Sequence, residues 1–421
     1  MVMKKPGFYD NGLVQTIKKR HVIGASLLLL LYAGVFICSA FSTNSSHEHE
    51  IPKYNDFAGN EACVSCHKEI CESQSLTAHY HSSSPATIAS IKGSFAPEKN
   101  MFVYNAFMQA QIDTADGIAY QTALINGTAF QTQPFDITVG SGRKGQTYLY
   151  WNRNNLYQLP VSYFTPLNTW CNSPGYPSGF IKFDRNISAR CLECHGTYAK
   201  VASVHDTAVF DKTKIIYGIQ CERCHGAAAQ HVAYEKAHPK DTSGMFILHI
   251  GRLARQQKLD LCALCHSGVR TSVTPAFTYV VGDKLDDYLA SSTSTDSLSM
   301  LDVHGNQYGL LETSRCFRMS QMDCSSCHNT HVTERNNKIL FSERCATCHT
   351  DVQHSFATAD NREAIVANCI DCHMPQLPSS KITLLVNGQK QTVPDYVTTH
   401  HITIYPEQTK AFLQWLKRQK G

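Results

Sequence analysis

The chain has 421 residues, 18 of them Cys and 21 His, and a formal charge of +4; its length would suit roughly two or three domains, but its cysteine usage points to one body built around cofactors. Lys4, Lys5, Lys18, Lys19 and Arg20 stand against Asp10 in residues 1–21, and the remainder balances 33 basic with 33 acidic residues. A balanced body lacks the cationic surface that nucleic acid requires, so no nucleic-acid partner is expected.

Residues 1–21 read as a basic cytoplasmic tail. Residues 22–41, from Val22 to Phe41, are apolar, free of charge and contain five consecutive leucines, which predicts a transmembrane anchor or signal peptide with the following chain exported. The run is longer than a usual signal h-region, which favours retention. Cys38-Ser39-Ala40 is nonetheless a tolerable cleavage site. The expected location is the periplasmic side of a bacterial inner membrane, anchored by residues 22–41, or the soluble periplasm after cleavage near Ala40. Residues 42–60 are a polar linker.

Residues 61–90 hold the first of seven Cys-x-x-Cys-His runs. These are Cys63/Cys66/His67, Cys191/Cys194/His195, Cys221/Cys224/His225, Cys262/Cys265/His266, Cys324/Cys327/His328, Cys345/Cys348/His349 and Cys369/Cys372/His373. The run is the attachment signature of c-type haem: two thiols add to the porphyrin vinyls and the next imidazole reaches the iron. Zinc and redox dithiols are the alternatives. Structural zinc wants Cys pairs joined two by two, which an odd number of pairs does not allow, and neither alternative needs a His after every pair. The expected cofactor is heme c, seven copies, covalently attached. Their propionates would add up to about fourteen negative charges for Lys and Arg to pair with.

Residues 91–184 form a haem-free, β-rich insertion in which the hydrophobic period is two. Ala119–Ile125 and Thr128–Thr132 flank Asn126-Gly127, a hairpin signal, and Thr147–Trp151 pairs with Leu156–Tyr163 across Asn152 to Asn155. Residues 185–380 are a six-haem body whose signatures follow too closely for separate domains. In residues 381–421, Ile382–Leu385 and Gln391–Val393 read as a hairpin about Asn387-Gly388. It leads to His400-His401 and a terminal helix from Pro406 to Lys420 with an apolar face of Phe412, Leu413 and Leu416. The expected fold class is mainly α with much irregular structure, a multihaem cytochrome c fold packed around seven haems, with the β-rich insertion.

The second axial ligand decides whether a haem carries electrons or does chemistry. Candidates are His79, His231, His304, His331, His354 and His400. His331 and His231 follow His328 and His225 so closely that neither easily reaches the far face of its own haem, so each should ligate a neighbour. Met319, Met322 and Met374 read as core residues. Cys71, Cys171 and Cys316 lie outside the signatures; the bland reading is one disulfide, Cys171 with Cys316, and one buried thiol, while iron ligation by one of them is the alternative.

Cys221-Glu-Arg-Cys224-His225-Gly226 with His231, Cys324-Ser-Ser-Cys327-His328-Asn-Thr-His331, and Cys369-Ile-Asp-Cys372-His373-Met374-Pro375 resemble the cytochrome c-554 and c-prime family, related in haem arrangement to hydroxylamine oxidoreductase and cytochrome c nitrite reductase. Gly140-Ser141-Gly142 and Asn172-Ser173-Pro174-Gly175-Tyr176 resemble a haem-free insertion in bacterial members. The resemblance implies a compact array of parallel and near-perpendicular haem pairs, mostly bis-His, for periplasmic electron transfer. The Cys-x-x-Cys-Lys run of the nitrite reductases is absent. The expectation is an electron relay between membrane quinol-linked or periplasmic donors and acceptors, touching the inner membrane through its N-terminal segment, rather than a substrate-converting enzyme. The alternative is an oxidoreductase acting on a nitrogen or sulfur oxyanion at one open haem.

Overall fold

Two-residue turns with left-handed backbone organise the first sheet. Asp116-Gly117 and Asn126-Gly127 have positive φ at both positions (50° and 78°, 49° and 73°), the type I′ geometry that matches strand twist. They join β3 (Met108–Ala115), β4 (Ile118–Ile125) and β5 (Thr128–Pro134), and β2 (Met101–Val103) pairs with β3 to complete a four-stranded antiparallel meander, so the hairpin expected about Asn126-Gly127 forms. The computed structural model describes residues 50–177, 179–204, 207–290 and 298–419. The tail 1–21, the apolar run 22–41 and residues 42–49 of the linker lie outside the described residues, as do Cys38, His21, His47, His49 and His205. Among the described residues no helix is long and apolar enough to cross a membrane.

A six-stranded sheet packs against the meander. It comprises β1 (Ser83–Pro85), β6 (Ile137–Val139), β7 (Gly145–Asn152), β8 (Asn155–Gln158), β9 (Val161–Phe164) and β10 (Thr169–Asn172). The single strand expected over Leu156–Tyr163 is broken. Pro160 offers no N–H to a ladder, so β8 pairs with the end of β7 while β9 pairs with its start, Gly145 opposite Phe164. Between the two sheets, Phe102, Ile112, Tyr148, Leu159, Val161 and Trp170 form the largest core cluster. The fully buried Gln121 of β4 crosses it, donating to the Val161 carbonyl at 2.6 Å and accepting from the Val161 N–H at 3.1 Å. Gly93 (φ 110°) passes so close that an added Cβ would lie 2.5 Å from the Trp170 ring.

The opposite face of this sheet meets the haem-signature region. Ile137, Leu149 and Leu156 pack with Ile187, Leu192, Phe210 and Phe277. Phe210 belongs to a long hairpin of β11 (Gly196–Val204) and β12 (Thr207–Tyr217) that starts directly after the second signature. The hairpin β13 (Gln376–Leu385) and β14 (Thr392–Thr398) follows the last signature, and its turn residue Asn387 accepts from Val103 N–H and donates to the Met101 carbonyl.

The helices are α1 (Asn60–Ser75), α2 (Ala189–Glu193), α3 (Cys221–His225), α4 (Ala229–Ala237), α5 (Arg255–His266), α6 (Gln307–Glu312), α7 (Arg315–Arg318), α8 (Lys338–Ala346), α9 (Arg362–Val366), α10 (Ile370–His373) and α11 (Pro406–Arg418). On α11, Phe412 and Leu416 bury against Ile365 of α9, with Leu413 and Cys372 partly buried beside them.

The expectation of a mainly α fold is corrected. Among the described residues about 30% are helix and 26% strand. Most signature-bearing helices are only a few turns long, because a signature needs a single turn, whereas 196–217 and 376–398 alternate β-branched and aromatic residues and pair as hairpins.

Candidate haem sites

Each signature occupies a helical turn or a helix end: within α1, on α2, on α3, at the end of α5, on the 3-10 turn Cys324–Ser326, at the end of α8, and on α10. On a helix, residues three and four apart share a face. One turn therefore presents both thiols and the following imidazole to the same side, which is what attachment of one porphyrin demands.

Thiols of different signatures meet. Cys63 lies against Cys221, Cys194 against Cys265, Cys262 against Cys324, and Cys345 against Cys369. Cys224 is within electrostatic range of Cys262, and Cys327 of Cys348. The signatures thus run in space as first, third, fourth, fifth, sixth and seventh, with the second set beside the fourth.

Cys66 departs from what is expected of a cofactor-binding thiol. Its partner Cys63 turns inward to Cys221, whereas Cys66 is exposed and accepts from the hydroxyl of its own neighbour Ser65 at 3.8 Å. The backbone of α1 departs from helical angles at the next residue, His67 (φ −113°, ψ 41°). Cys191 and Cys348 are exposed as well; α2 ends at Glu193 and α8 at Ala346, before the last residues of their signatures. The assignment of Cys66 to the first haem accordingly rests on its place in the signature rather than on packing.

Charged residues within or beside the signatures hold these neighbours. Glu222, in the third signature and 5% exposed, accepts from Ala58 N–H (2.7 Å), Gly59 N–H (2.9 Å) and Ala228 N–H (2.8 Å), so it caps the helix that carries the first. Glu193, in the second, pairs with Arg190 (2.9 Å) and with Arg223 of the third (3.7 Å). Lys258 and Asp323 (3.7 Å) join the fourth to the fifth. Arg344 donates to the Cys327 carbonyl at 2.6 Å, joining the fifth to the sixth. Lys338 and Asp371 (2.6 Å), with Cys369 N–H on Ser342 Oγ (3.0 Å), join the sixth to the seventh. Sequence reasoning passed over these: Glu193, Glu222, Arg223 and Asp371 fill intervening signature positions that carry no consensus, and the others lie beside the signatures, where only their partners give them meaning.

Four proximal imidazoles face a second one. Ring centres lie 6.1 Å apart for His225 and His331, 6.2 Å for His328 and His400, 6.1 Å for His79 and His266, and 6.4 Å for His354 and His373. Imidazole nitrogens bond a metal at about 2.0 Å and the ring centre lies about 1.1 Å further, so two rings on one ion stand about 6.2 Å apart. The spacing fits an iron between each pair. Nδ1–H donors fix the rings: His225 to the Leu248 carbonyl (3.0 Å) and His373 to the Thr403 carbonyl (3.0 Å), while His266 Nδ1 lies 3.2 Å from Gln307 Oε1. That tautomer leaves Nε2 for the metal. Burial, then the neighbouring His266 and His328, push His79 down to about 4; burial and His328 do the same to His400. Both imidazoles are thereby neutral near pH 7, the form that ligates.

The remaining candidates are placed differently. His231 donates from Nδ1 to the Met245 carbonyl (2.8 Å), and His304 lies 3.6 Å from Asp395, on the side of the fold where it influences His195 electrostatically. Neither makes a ring contact with a proximal imidazole among the described residues, nor do His67, His195 and His349 with a second imidazole. His401 is engaged with Thr313 Oγ1 at 2.6 Å, which separates it from its neighbour His400. The expected Cys171–Cys316 disulfide does not form: both are free thiols. Cys171 is buried in β10 with its thiol on the Ser162 carbonyl (3.5 Å); Cys316 lies near Cys327 and Cys345, and Cys71 beside Cys221.

Residues 179–226, spanning the second and third signatures, match the family described as cytochrome c554 and c-prime. The chain is 26% identical over 179 residues to multiheme cytochrome MtrA of Shewanella baltica (strain OS185), a match covering 38% of this chain and 52% of the relative; it spans about half the length of that curated relative. The solved outer cell wall cytochrome OcwA is similar in fold, with a TM-score of 0.50 and 17% identity over 85% of this chain and 81% of its own. Attachment chemistry and likeness agree, and the chain is a multihaem c-type cytochrome.

Proposed function

We propose that this is an exported heptahaem electron carrier, passing electrons between membrane quinol-linked and periplasmic redox partners. Its place is the periplasmic side of a bacterial inner membrane, held by residues 22–41 or freed by cleavage near Ala40. The observation that carries the reading is the set of four facing imidazole pairs at 6.1–6.4 Å. Haem bound there would supply a one-electron iron couple. The protein's own residues do the rest. His331 serves the site of His225, His400 that of His328, His79 that of His266 and His354 that of His373. We assign His304 to the site of His195, and His231 to that of His67, because α4 packs on residues 54–56 just before α1. Imidazole on both faces closes an iron to small molecules, and the charged bridges keep successive signatures adjacent, which is what single-electron hopping needs and substrate chemistry does not.

Intact-mass measurement of the exported protein should show the gain of seven porphyrin masses, one per signature. The oxidised protein should give low-spin ferric EPR signals from the six sites assigned a second imidazole here, those of His67, His195, His225, His266, His328 and His373. A high-spin component that shifts with nitrite, cyanide or sulfite would overturn the relay and leave an oxidoreductase of nitrogen or sulfur oxyanions.

A further inference from the structure

The segment from Cys324 to Glu334 contributes to two different sites. His328 faces His400, while His331, three residues on, faces His225 of another signature. Such a short stretch can aim two rings at two metals only if its backbone is held rigidly. Glu334, with its side chain 10% exposed, accepts from Asn329 N–H at 3.0 Å, one of the two residues between the histidines. Asn329 in turn accepts on Oδ1 from His331 N–H at 3.0 Å. Arg344 forks onto both oxygens of Glu334, at 2.8 Å for the Nη1 contact, and the same Nη1 donates to the Cys327 carbonyl at 2.6 Å. The guanidinium lies 5.6 Å from the centre of the Phe341 ring, whose edge meets His328 at 5.2 Å between centres.

We infer that Glu334 and Arg344 are positioning residues that hold His331 on the third haem site from the loop of the fifth. The inference rests on the bis-imidazole reading above and concerns only what orients the ligand. The two histidines are unequally secured. His328 follows two thioether-forming cysteines and its N–H returns to the Cys324 carbonyl at 3.0 Å. His331 relies on the Asn329–Glu334–Arg344 frame, the Val332 N–H on the Asn329 carbonyl at 3.4 Å and a tether beyond it, Thr333 Oγ1 on the Leu76 carbonyl at 2.9 Å. Planar, two-pronged pairing is a property of arginine that lysine lacks, so charge alone does not suffice.

The test compares ferric EPR and visible spectra of the mature protein with those of H331A, E334Q and R344K, each checked by intact mass for full haem loading. H331A should convert one iron in seven to high spin. E334Q should show the same component, approaching the same amplitude and abolished by added imidazole, and R344K a smaller one. A wholly low-spin E334Q beside a high-spin H331A would overturn the clamp while sparing the ligand assignment. A wholly low-spin H331A would overturn the assignment and the clamp with it. R344K guards against a folding defect in E334Q: a fully loaded R344K protein with no high-spin component also counts against the clamp.

Discussion

Replacing Glu222 by Ala isolates what a signature-internal carboxylate does for the array. The side chain is 5% exposed, and its three acceptor contacts come from Ala58, Gly59 and Ala228 N–H at 2.7, 2.9 and 2.8 Å. Truncation orphans all three donors. Ala228 is 3% exposed and water cannot readily replace the lost acceptor, so its N–H bears close to the full penalty of about 2 kcal/mol. Ala58 and Gly59 are half-buried, and rehydration should reduce their cost to about 0.5–1 kcal/mol each. Relief from burying a charge offsets part of the total, leaving a net loss of about 3 kcal/mol. Glu222→Gln should lose less, about 1–2 kcal/mol, because one oxygen can still serve Ala58 and Ala228, which share Oε1, while the amide NH2 opposes Gly59 N–H. Urea unfolding of the loaded protein, followed by far-UV circular dichroism, measures both. A loss below about 1 kcal/mol for E222A, or E222Q as damaging as E222A, would refute the argument.

Adjacent histidines should behave oppositely: His400→Ala should produce a high-spin ferric signal, whereas His401→Ala, whose ring is on Thr313 rather than facing an imidazole, should leave the EPR spectrum low-spin. Gln121→Ala removes both hydrogen bonds to Val161 from a fully buried site and should cost about 2–3 kcal/mol in urea unfolding. Gly93→Ala combines a positive φ with a Cβ 2.5 Å from Trp170; it should cost about 2–4 kcal/mol, and a neutral result would mean that this loop moves freely away from the ring.

Much of the fold was legible where the signal is local. Asn126-Gly127 marks a hairpin because few residues tolerate positive φ at both positions, and in the other hairpin Gly388 supplies a positive φ of 78°. Pro160, likewise local, announces the break between β8 and β9 that a purely periodic reading ran through. The hairpin of β11 and β12 was missed for another reason: it lies between two signatures whose spacing dominated the reading, although Thr197, Tyr198, Val201, Val209, Phe210 and Ile215 are strand-forming residues. The exposure of Cys66 beside an inward-facing Cys63 was hidden too, since the motif is the same at all seven places. The fork at His400-His401, of which the sequence reading named His400 as a candidate ligand, has no local cause. Two identical side chains differ only in which faces His328 and which faces Thr313, and both partners lie far away in the chain.

The sequence by itself determined the chemistry of attachment, because five residues on one helical turn carry everything that a covalent c-type haem requires. Tertiary structure alone decided which signatures touch, that the second stands beside the fourth, and which imidazole faces which. Those outcomes depend on contacts such as His79 with His266, Glu222 with Gly59 and Arg344 with Glu334. Their geometry is set by packing between remote segments, and no local pattern encodes it.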